Sequence, residues 1–171
     1  MIRSFRYVSL LLLAVLLVSC SGKQYPSRST AAIVPVDEQV QKLGLQLDFG
    51  KTHLSGMLVV RKMEDGELRI IGTSHFGLSF FDFGLKSDTM QVYSCIEPMR
   101  KKQILSLLEN DFKLLFLPDR QFRKIVNETE YTKFVTGRWF SKVVVYTFIG
   151  KESVQAKHPW LRLSIQLKSL E

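Results

Sequence analysis

The stretch Leu43-Gly44-Leu45-Gln46-Leu47-Asp48-Phe49-Gly50 decides the fold class. Apolar residues alternate with polar or small ones at a period of two, the side-chain repeat of a strand with one dry and one wet face. Near the other end of the chain, Leu161, Leu163, Ile165 and Leu167 alternate in the same way with Arg162, Ser164, Gln166 and Lys168. Between these lie the strand-like segments His53 to Met63 and Glu67 to Ser74, joined by the turn formers Glu64-Asp65-Gly66. Gly77 to Lys86 and Met90 to Ile96 follow, separated by Ser87-Asp88-Thr89. Connections this short predict an antiparallel meander.

The period changes after Pro98. Ile104, Leu108, Phe112 and Leu115 share one helical face with Leu105 beside them. Proline is favoured in a first helical turn and Pro118 would stop the helix, so the pattern predicts one helix at about Met99 to Leu115. Phe122 to Val126, Tyr131 to Thr136 and Trp139 to Ile149 then return to strand character. The expected fold is α+β, a strongly curved antiparallel sheet or incomplete β-barrel packed on one main helix.

Two inner stretches break the alternation. In Phe76 to Leu85 one parity carries Phe76, Leu78 and Phe80 and the other Phe81, Phe83 and Leu85. In Trp139 to Ile149 both parities are again apolar. One helix covers one face of a sheet, so the second face needs a packed barrel core, a partner protein or a bound apolar ligand. Phe76, Phe80, Phe81, Phe83, Trp139, Val143 and Tyr146 form the residue pool for such a ligand cavity.

The amino-terminal end reads as a secretory signal. Arg3 and Arg6 precede the apolar run Val8 to Val18, which is shorter than the roughly 20 residues a transmembrane helix needs. Residues 1–19 are therefore expected to be removed, 20–37 to form a lipidated cysteine and flexible tether containing Pro26 and Pro35, and 38–171 to form a single domain. Leu17-Val18-Ser19-Cys20 resembles the lipobox of bacterial lipoproteins. That resemblance implies a diacylglyceryl group on Cys20, and two or three acyl chains make a stable membrane anchor where one does not. Ser21 in place of Asp resembles an outer-membrane address, which places the expected location in the cell envelope, on the periplasmic face of the outer membrane.

Loss of Arg3 and Arg6 lowers the formal charge from +8 to +6, a basic balance suited to anionic lipid. The lysines and arginines are scattered, and nucleic acid is not an expected partner. With Cys20 acylated, Cys95 is the one remaining thiol and is read as a small buried hydrophobe. His53, His75 and His158 occur singly, and no nucleophile elbow, zinc-ligand spacing or phosphate-cradling loop is present. Asp48, Asp82 and Asp88 lack any motif that assigns them catalysis. No enzymatic activity, cofactor or metal is expected.

Signal, lipobox, tether, meandering strands with Gly-rich aromatic stretches such as Gly72-Thr73-Ser74-His75-Phe76-Gly77, and a single amphipathic helix resemble the lipoprotein carrier and receptor family (LolA/LolB-like) over roughly Leu43 to Phe116. The resemblance implies an unclosed antiparallel barrel whose concave face holds helices and an apolar cavity for acyl chains; this chain shows one convincing helix. Arg100, Lys101 and Lys102 crowd the first turn of that helix, where the macrodipole disfavours cations, and are read as headgroup or phosphate contacts. The expected function is noncatalytic binding of lipid or a lipidated protein in an apolar cavity. The alternative is a structural or assembly lipoprotein that docks an envelope protein through an exposed apolar patch.

Overall fold

The computed structural model describes residues 27–36, 40–87, 89–138 and 141–170. Ten strands form one antiparallel sheet: β2 (Val40–Phe49), β3 (Thr52–Lys62), β4 (Leu68–Ser74), β5 (Ser79–Leu85), β6 (Met90–Cys95), β8 (Lys124–Asn127), β9 (Tyr131–Thr136), β10 (Val143–Phe148), β11 (Ser153–His158) and β12 (Leu163–Ser169). Their spatial order is β6-β5-β4-β3-β2-β12-β11-β10-β9-β8, so two meanders meet where β12 pairs with β2. The sheet is not closed, and β6 and β8 are its edges. Two short strands, β1 (Ser27–Ser29) and β7 (Arg120–Phe122), pair separately. The single α-helix among the described residues, α1 (Lys102–Phe116), follows a 3₁₀ turn at Glu97–Met99.

The alternation predicted at both ends of the domain is what joins its halves. Leu47 lies opposite Ile165 and Leu45 opposite Leu167, all buried on the face that meets the helix. Gln46 lies opposite Gln166 on the other face. Across the same inner face Leu58, Val60, Ile70, Phe81, Phe83, Val145 and Ala156 are fully buried with Leu108, Phe112 and Leu115 of α1. Gly72 is required here, because a Cβ at this position would collide with the Phe81 ring.

The doubly apolar stretches resolve differently from one another. Phe76 and Leu78 lie in the β4–β5 turn, outside the strand, and the outer face of β5 carries Asp82, which is ion-paired to Arg69. The Arg69 guanidinium also stacks 3.5 Å over the Tyr93 ring, and the Tyr93 hydroxyl donates to Glu67 at 3.2 Å. In β10, Val143 and Val145 face inward, whereas Tyr146 and Phe148 face outward and are covered sideways by Tyr131, whose ring lies 5.5 and 6.2 Å from theirs. Among the described residues, neighbouring side chains and not a second helix cover that outer face.

Three expectations need correction. Part of the segment read as tether is packed: β1 pairs with β7, Val34 and Val36 are buried, and the Val34 N–H donates to the Leu115 carbonyl at 2.8 Å, satisfying an acceptor at the helix end. Its prolines and hydroxyls obscured two valines that fill the core. The helix begins at Lys102 and not Met99, which lies in the preceding 3₁₀ turn and is fully buried. Strand β11 was not anticipated, because Ser153-Val154-Gln155-Ala156-Lys157-His158 places only small or polar side chains beside Val154, and its pairing supplies what its hydrophobicity does not. Cys20 and Trp139 lie outside the described residues.

Candidate functional site

The start of α1 is only partly covered by the core it packs against. Lys101, Lys102 and Gln103 are exposed and Ile104 and Leu107 half-buried, whereas the inward face is fully buried from Leu108 onward, at Leu108, Asp111, Phe112 and Leu115. On the sheet side, the β2–β3 turn holds Gly50 in a positive-φ conformation (62°), and the Gly50 N–H donates to the Arg162 carbonyl in the neighbouring β11–β12 turn at 3.2 Å. These two turns and the helix start enclose an open cleft of about 1170 Å³. Its apolar surface comes from Phe49, Ile104, Leu107, Leu161 and Leu163, and its charged margin from Lys51, Lys101 and Lys102. An apolar lining with a few placed polar groups suits a small amphiphilic ligand.

The helix end at this cleft is electrostatically unsatisfied. Lys101 is the N-cap residue and makes no side-chain cap, and the first turn contains no acid. Free amide donors and the positive end of the macrodipole therefore point the same way as two lysines, an arrangement that costs helix stability and attracts anions.

Directly below, the helix is fixed to the sheet by a buried polar pair. His158 Nε2 lies 2.9 Å from both carboxylate oxygens of Asp111, and both side chains are almost wholly buried. Burial pushes the Asp111 carboxyl up from its usual range, and the His158 hydrogen bond opposes that shift. His158 Nδ1 is buried and has no hydrogen-bond partner among the described residues, and Nε2 is the ring nitrogen placed to donate to Asp111.

The cavity pool drawn from sequence is dispersed. Phe81 and Phe83 stack at 4.7 Å and pack on Phe112, filling the interior there. Val143 is buried in the same core, Phe80 is half-buried beside the bulge where Thr73 pairs with Ser79, Tyr146 lies on the outer face and Phe76 is 94% exposed. None of these lines the cleft. Of the basic cluster, Lys101 and Lys102 do line it, whereas Arg100 is ion-paired with Glu97 at 3.2 Å. Phe49, Lys51, Leu107 and Leu161 were missed as site residues. Alternation marked Phe49 and Leu161 as core, and Lys51 and Leu107 stood outside the patterns read; only the tertiary arrangement brings the four to one cleft.

Among the described residues no helix is long and apolar enough to cross a membrane, and no group of three or more metal-ligating side chains occurs. The chain matches no known family model, no curated protein and no solved structure.

Proposed function

We propose that this protein is a lipid-anchored cell-envelope protein that binds lipid, or the acyl chains of a lipidated protein, noncatalytically in the cleft between α1 and the sheet. The observation that carries the reading is the cleft itself: an open volume of about 1170 Å³ with an apolar floor and a lysine margin, beside a core in which Phe81, Phe83 and Phe112 pack on one another. Cys20 is the proposed acylation site, on the lipobox-like sequence before it. In this reading the sheet is strongly curved, an incomplete barrel wrapped around the helix. Support comes from adjacent residues of α1: Asp111 bonds to His158 in β11 while Phe112 packs on Phe81 in β5, five strands away in the sheet. In a flat sheet those strands would lie roughly 24 Å apart.

Native mass spectrometry tests the reading on the chain from position 20 onward, carrying Cys20→Ser and exposed to a bacterial lipid extract. Every described core residue lies at Val34 or later, so this chain keeps all of them. Retained lipid that is lost in Leu107→Glu, with an unchanged melting temperature, is the expected result. A clean lipid-free mass for the parent chain would overturn it.

A further inference from the structure

Strand register sorts the described turns onto two rims of the sheet. One rim carries the turns 50–51, 75–78, 137–142 and 159–162 and the link 96–101 into the helix; the other carries 63–67, 86–89, 128–130 and 149–152. Their chemistry differs. Among the described residues, the turns of the first rim hold Lys51, Arg100, Lys101, Arg138, Lys142 and Arg162, with the carboxylate of Glu97 paired to Arg100. The second holds Glu64, Asp65, Glu67, Glu128, Glu130 and Glu152 against Lys86 and Lys151.

The basic rim also carries two exposed apolar tips. Phe76 and Leu78 are 94% and 71% exposed in the β4–β5 turn, and Trp160 and Leu161 are 65% and 40% exposed in the β11–β12 turn. Four strand spacings separate the two turns, roughly 20 Å across the sheet. The opposite rim exposes Val40, Met63, Ile149 and Leu170, but its turns are the ones that hold the carboxylates. The Phe76 tip is a built turn. The N–H groups of Phe76 and Leu78 donate to Ser74 Oγ at 3.3 and 3.0 Å, the Ser74 N–H donates to the Leu78 carbonyl at 2.8 Å, and Gly77 supplies the positive φ. With those amides paired internally, both side chains can leave water without stranding these backbone donors.

We propose that this rim docks on an anionic bilayer surface, with the Phe76–Leu78 and Trp160–Leu161 tips entering the interface and the surrounding cations meeting anionic headgroups. Aromatic side chains favour the headgroup level, lysine and arginine are drawn to the surface potential, and the acidic rim turns away from it. Because Gly50, Lys51 and Leu161 also line the cleft, docking sets its mouth against the lipid. Docking itself does not require that the cleft hold a ligand.

Vesicle co-sedimentation tests this on the chain from position 20 carrying Cys20→Ser, which has no acyl anchor. Binding to phosphatidylglycerol-containing vesicles, weakened by added salt and by replacement with pure phosphatidylcholine, is expected. A variant with Phe76→Ser, Leu78→Ser and Trp160→Ser, all at exposed positions, should lose about tenfold or more in vesicle affinity while its melting temperature holds. Leu107→Glu, which tests the cleft, should leave vesicle binding intact. Failure of the parent chain to sediment, or equal sedimentation of the triple variant, overturns the proposal. Loss in Leu107→Glu with none in the triple variant also overturns it, by assigning the signal to the cleft.

Discussion

A carboxylate buried between helix and sheet makes Asp111 a residue through which pH reaches the fold. Removal from water raises the Asp111 pKa above its ordinary value of 3.8. The folded chain therefore holds that proton more tightly than the unfolded chain. As pH rises from about the ordinary value toward the raised one, the unfolded state loses its proton first and stability falls; above the raised value the loss is complete. Asp111→Asn keeps an acceptor for His158 and removes this titration. Its urea midpoint should lack the decline with rising pH that the parent shows across that window, and parallel slopes in the two proteins would refute the assignment. Neither residue was legible as a partner. Asp111 follows Leu108 by three positions on the apolar helix face, which was a signal, but His158 belongs to the one long-sheet strand that hydrophobic pattern did not reveal.

At the scale of the element, α1 combines a strongly packed second half with a poorly terminated start. Phe112 meets Phe81, Phe83 and Phe116 within 6.2 Å, and Lys113 pairs with Glu109 at 2.7 Å one turn back. Its N-cap position holds Lys101, followed by Lys102 and no early acid. Local preference and observed residue disagree there, a kind of conflict that tends to mark function. Lys101→Ser should accordingly raise unfolding free energy by about 0.5–2 kcal/mol through a restored cap. Chemical denaturation measures this, and an unchanged or lower stability would remove the argument that the lysine is held against the helix's interest. The basic cluster could be read in the sequence because it runs against the macrodipole. The surface it borders could not, because the cleft exists only where the helix start stands away from the β2–β3 and β11–β12 turns.

For the whole molecule, the pairing of β2 with β12 ties the beginning of the sheet to its end, and the clamp of β1 on β7 ties the segment before the sheet to the stretch that follows the helix. Val34 and Val36 contribute to the same core as Phe112 and Ile165. A chain beginning at Glu38 should therefore be less stable than one beginning at position 20 by about 3 kcal/mol or more, the burial of two valines. Thermal unfolding of the two proteins compares them directly, and coincident transitions would show that this segment adds nothing to the fold.

The sequence by itself determined the antiparallel meander, the amphipathic helix and the buried face of the cleanly alternating strands, because a period of two or of 3.6 is a local property that survives any tertiary arrangement. It also marked Lys101 and Lys102 through their conflict with the helix dipole. Which aromatic side chains fill the core, which stand in water and where a cleft remains open were decided by tertiary structure alone. Phe76 and Phe81 belong to one apolar run in the sequence, yet a turn held by Ser74 and Gly77 puts one in solvent while strand pairing puts the other against Phe112. Those outcomes depend on contacts between residues far apart in the chain, which periodicity does not encode.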